Sequence, residues 1–62
     1  MESQDYLEEL DRRIKLIEKA ATELAAIGRD NEIPAVYKNA RRIMATVNIL
    51  KIEVSDILDL KI

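Results

Sequence analysis

Residues 46–62, TVNILKIEVSDILDLKI, support two readings, and the choice between them decides the fold. Counted in twos, residues 49–62 alternate. Leu50, Ile52, Val54, Leu58, Leu60 and Ile62 hold six of the seven even positions, and Lys51, Glu53, Ser55, Asp59 and Lys61 hold five of the seven odd ones. That is the pattern of a half-buried strand, and the Ile and Val content agrees with it. Counted in threes and fours, Val47, Leu50, Val54 and Ile57 continue a helical stripe that begins at Ile33.

Turn chemistry weighs against the strand. A two-residue turn at Ser55-Asp56 sets Leu50, Ile52 and Val54 opposite Lys61, Asp59 and Ile57, which splits the apolar faces. A three-residue turn restores the match but puts β-branched Ile57 near the left-handed region, where it is strained. A lone two-stranded hairpin is marginal in any case. The helical stripe meets no breaker after Val47, so a continuous helix is the expectation. The alternative is an α+β chain with a C-terminal β-hairpin at 49–62.

Upstream, Leu7, Leu10, Ile14, Ile17, Ala21 and Leu24 recur at alternating spacings of three and four. The second helix repeats the rhythm with Ile33, Val36, Ala40, Ile43, Val47, Leu50, Val54 and Ile57. All fourteen positions are apolar in a chain that is 48% hydrophobic, so the pattern is the dominant signal. Such a repeat is the seam of helices packed lengthwise. Ser3 or Asp5 suits the first N-cap, and Gly28 stands where a left-handed C-cap glycine is expected. Asp30 or Asn31 suits the second N-cap, with Pro34 in the first turn. The spacing therefore predicts one domain, residues 1–62: helix 1 over about 3–27, a loop at about 28–32, and helix 2 over about 33–60, forming an all-α antiparallel hairpin.

A chain of 62 residues is marginal alone. It has no Cys for disulfides and no His, and so lacks the commonest zinc patterns. Self-association is the remaining route to a larger core. Ala45, Ile49, Ile52 and Leu60 fall on a flank of helix 2 roughly 80–160° from the seam, and Leu16, Ala20 and Ile27 form a lesser flank on helix 1. Leu16, Ile49, Ile52 and Leu60 are accordingly the expected interface residues of a dimeric four-helix bundle.

Charge adds direction. Residues 1–11 and 51–62 carry eight acids and two bases, while residues 12–50 carry eight bases and four acids. An antiparallel homodimer sets each acidic end beside a basic turn, whereas a parallel one brings like charges together.

The chemistry of the chain is sparse. Nucleophilic triads need a base such as His, and di-iron bundles need Glu-x-x-His. Carboxylates at helical spacing, Glu8 with Asp11 and Asp56 with Asp59, are expected on open polar surface as ordinary solubilising charge. No glycine-rich phosphate loop is present. No enzyme activity, cofactor or metal is expected. Net charge is −2, no run is long enough to span a membrane, and the acidic N-terminus is unlike a signal peptide, so the expectation is a soluble cytoplasmic protein. The expected role is that of a non-catalytic small interaction or regulatory protein working through helix-face recognition as a homodimer, its partners being a second copy of itself and, beyond that, a larger protein. The alternative is a small RNA- or DNA-binding helical dimer using a band of Arg12, Arg13, Arg41 and Arg42.

Overall fold

Two long helices account for the structure. The computed structural model describes the backbone of residues 3–60 and the side chains of residues 6–59. Helix α1 runs Ser3–Asp30 and helix α2 runs Pro34–Leu60, joined by Asn31, Glu32 and Ile33. Among the described residues there is no strand, so 49–60 is helix and the β-hairpin alternative is not realised there. The helical repeat wins because it is continuous from Pro34, whereas the alternation has no turn that keeps its faces matched. Residues 61 and 62 lie outside the described residues, as do the side chains of Ser3 and Asp5 that were expected to cap α1.

The connection departs from expectation in an instructive way. Gly28 is not the left-handed residue; it is buried inside α1, which runs two residues beyond it. Glu32 takes the left-handed conformation instead, with φ 56°. The Ile33 amide donates to the Gly28 carbonyl at 2.8 Å and the Glu32 amide to the Arg29 carbonyl at 3.3 Å, the paired closure of a Schellman motif. Asn31 does not cap α2: its Nδ2 donates back to the Ile27 carbonyl at 2.9 Å and finishes α1. Asp30 ends α1 rather than capping α2. Pro34 opens α2 as expected, where its missing N–H is no loss.

Gly28 is required by proximity. A Cβ there would stand 2.8 Å from the Tyr37 backbone nitrogen and 3.1 Å from Val36 Cγ1. Ala21, Ala25 and Ala40 are buried beyond it, so small residues let the helices approach closely at the turn end. Toward the open end the contact is filled by larger side chains, a buried cluster of Leu7, Ile14, Val47 and Val54 with Leu50 and Ile57 against it.

The apolar repeat is thereby split. Its seven-residue series Leu7, Ile14, Ala21 and Ala40, Val47, Val54 lies between the helices. The intervening series does not: Leu10, Ile17, Leu24, Val36 and Ile43 are 36–45% exposed, and only Leu50 and Ile57 are half-buried. The hairpin is a single layer of two helices, 45 × 17 × 11 Å, with a radius of gyration of 14.4 Å. A globular chain of this length would have about 10–11 Å. One layer has nothing to lay over its second apolar series.

Candidate functional site: an apolar face along one side of the hairpin

Leu10, Ile17 and Leu24 from α1 and Val36, Ile43, Leu50 and Ile57 from α2 stand at seven-residue steps on the same side of the hairpin. Leu10 and Ile17 share one groove with Leu50 and Ile57, bordered by Arg13 and Glu53. Leu24 shares the next with Val36, Ala40 and Ile43, bordered by Asn39. The two grooves run on from each other, so the face extends along most of the hairpin.

The opposite side differs in chemistry. Lys51 Nζ reaches Glu18 Oε2 at 2.9 Å, bridging the two helices. Tyr37 and Arg41 lie there with Thr22, Ala25, Arg29 and Met44. The Arg41 guanidinium sits 5.7 Å from the Tyr37 ring centre and its Nη1 donates to the Tyr37 hydroxyl at 3.4 Å. This side thus carries an interhelical ion pair and a cation–π contact, whereas the other presents the row of large aliphatic side chains.

The expected interface residues fall elsewhere. Leu16 is 62% exposed, Ile49 57% and Ile52 61%. At 100° per residue, Leu16 lies nearly opposite the buried side of α1, and Ile49 and Ile52 lie some 140–180° round α2 from its buried line. They occupy the outer edges of two different helices and do not form one patch. The side chain of Leu60 lies outside the described residues. The sequence did hold a signal for the apolar face: the series left outside is uniformly large, whereas the enclosed one turns to alanine and glycine near the loop. That size difference becomes readable only once the packing shows which half of the repeat the helices clasp.

The four arginines are distributed, not gathered. Arg12 and Arg13 both grip Glu9, Arg12 Nη2 at 2.7 Å from Oε1. Hydrogen bonding from Arg13, with the charge of Arg12 beside it, holds the Glu9 carboxyl below its ordinary range. Arg13 borders the apolar face and Arg41 the opposite side. Arg42 Nη1 donates to Asn39 Oδ1 at 3.3 Å. Asp11 bonds Lys15 at 2.9 Å and raises its pKa.

Among the described residues no polar or charged one is buried, and no group of three His, Cys, Asp or Glu side chains is arranged to hold a metal ion. No helix among them is long and apolar enough to cross a membrane. Compared with protein families, curated proteins and solved structures, the chain matches none.

Proposed function

We infer that this chain is a non-catalytic interaction protein, of the small regulatory kind, that acts by helix-face recognition as a homodimer. The observation that carries the reading is the apolar face: large aliphatic side chains on two helices, aligned over most of the hairpin and open to solvent. Scattered surface apolars need no explanation, but a contiguous face of this kind is characteristic of an association surface. The shallow lining lacks the convergent polar groups by which a small-molecule site orients its ligand. A second hairpin laid on the face completes a four-helix bundle with a two-layer core.

The test is solution mass by light scattering across concentration, with helicity by far-UV circular dichroism. Wild type is expected to be a helical dimer. Ile17→Lys is expected to weaken self-association about 100-fold or more, because two isoleucines worth ~1.5–3 kcal/mol each on burial are replaced by ammonium groups that resist it. Ile52→Lys, on the outer edge of α2, is expected to keep the wild-type mass. A wild-type chain that stays monomeric at every concentration would refute the homodimer reading.

A further inference from the structure

The apolar face has a symmetry of its own. On α1, Leu10 and Leu24 stand seven residues to either side of Ile17. On α2, the midpoint of the series falls between Ile43 and Leu50, with Val36 and Ile57 equally spaced beyond them. The two midpoints lie at the same level of the hairpin, since Leu10 and Ile17 share a groove with Leu50 and Ile57 while Leu24 shares the next with Val36 and Ile43. The pattern therefore reads the same from the turn as from the open end.

We propose that the occupant of this face is a second copy of the chain, set antiparallel about a two-fold axis that lies in the face and crosses the hairpin at the level of Ile17. This rests on the interaction reading above and adds the geometry of the partner. The axis lays α1 on α1 and α2 on α2 of the second copy, each pair antiparallel, with both hairpins overlapping along their full length. The broad side measures 45 × 17 Å, about 770 Å² in projection. A stable interface buries about 800 Å² of accessible surface per partner, so a dimer of a hairpin this small uses most of its broad side.

Charge favours one direction. The antiparallel axis sets the net −6 of residues 1–11 and 51–62 level with residues 23–42 of the other copy, which hold four bases and three acids, whereas the parallel one sets the two acidic ends together. The parallel arrangement, with the axis along the hairpin, lays α1 on α2 and brings Glu9 level with Glu53 and Asp56 of the second copy. At the rim of the face, Glu53 borders the groove beside Leu50, and Arg42 leans onto Asn39, which borders the groove beside Ile43. The antiparallel axis brings Arg42 to within about 3 Å of the level of Glu53 of the second copy, at 1.5 Å per residue. Within one chain those two are eleven residues apart on the same helix and do not meet.

Two measurements on the full chain test this. The protein has no cysteine, so Asp30→Cys carries one spin label per chain near the turn. Thirteen residues separate Asp30 from Ile17, so the antiparallel dimer places the label sites about 40 Å apart along the bundle, and the parallel one places them within about 20 Å. Charge exchange is the second, at rim positions whose substitution leaves the core intact. Arg42→Glu is expected to weaken the dimer about tenfold, and adding Glu53→Arg to restore it. In a parallel dimer Arg42 would face Glu23, and Glu53 would face Arg13, so the double variant would be weaker than either single one. Labels about 40 Å apart together with restoration support the proposal. A dimer with short label distances, or without restoration, overturns the antiparallel axis and leaves the interaction reading standing. A dimer that survives Ile17→Lys overturns the choice of face, and a monomer overturns both.

Discussion

Gly28 lies against the backbone of Tyr37, so close that a Cβ would stand 2.8 Å from the Tyr37 nitrogen. On an isolated helix, glycine to alanine gains about 1 kcal/mol. Here the obstacle is main chain and cannot rotate aside, so α1 and α2 must separate at the turn. Gly28→Ala is expected to destabilise by about 1–2 kcal/mol net, the cost of overpacking outweighing the gain in propensity. Thermal melting by circular dichroism at fixed protein concentration reads this as a fall of several degrees. An unchanged or higher midpoint would show that the helices do not meet there as described.

Glu32 presents the reverse case. Its φ of 56° is left-handed, a conformation that costs an ordinary L-residue about 1–2 kcal/mol. Glu32→Gly should stabilise the hairpin by roughly 0.5–1 kcal/mol, and Glu32→Val should destabilise it, because β-branching makes the strain worse. Equal melting temperatures for all three would argue that the Schellman closure is not the conformation in solution.

The Glu18–Lys51 bridge is the one ion pair between the helices among the described residues. Both side chains are more than a third exposed, so solvent screens the pair. A double-mutant cycle with Glu18→Gln and Lys51→Met is expected to give a coupling of about 0.2–1 kcal/mol that shrinks as salt is raised. A coupling of several kcal/mol insensitive to salt would mean the pair is enclosed by something further.

Acid should loosen the start of α1. The Arg13 hydrogen bond and the Arg12 charge depress the folded pKa of Glu9. A depressed carboxylate stabilises the folded state above its unfolded pKa, near 4.3, and that contribution is lost as pH falls through the folded value. Compared with Glu9→Gln, wild type should therefore show its advantage at neutral pH and lose it progressively below about pH 4–5. A constant difference between the two across that range would contradict the pairing.

Arg12 and Arg13 share the single carboxylate of Glu9, which offsets one of their two charges, and Arg13 and Arg41 border opposite sides of the hairpin. Filter retention of RNA or DNA at low salt is accordingly expected to be negligible. Sequence-independent retention that declines steeply with salt would favour the nucleic-acid alternative instead.

The sequence by itself determined the two helices, their antiparallel pairing and the place of the chain reversal. Local spacing of apolar residues and a lone Gly–Pro interval suffice for that, because helix periodicity is a property of consecutive residues. It did not determine which half of the repeat would be enclosed. Leu7, Ile14, Val47 and Val54 on one side and Leu10, Ile17, Ile43 and Leu50 on the other carry the same apolar character, and periodicity treats them alike. Only the tertiary structure decided between them. The closeness of Gly28 to Tyr37, the small Ala21, Ala25 and Ala40, and the Glu18–Lys51 bridge turn one series inward, because two helices in a single layer can clasp only one line of side chains tightly.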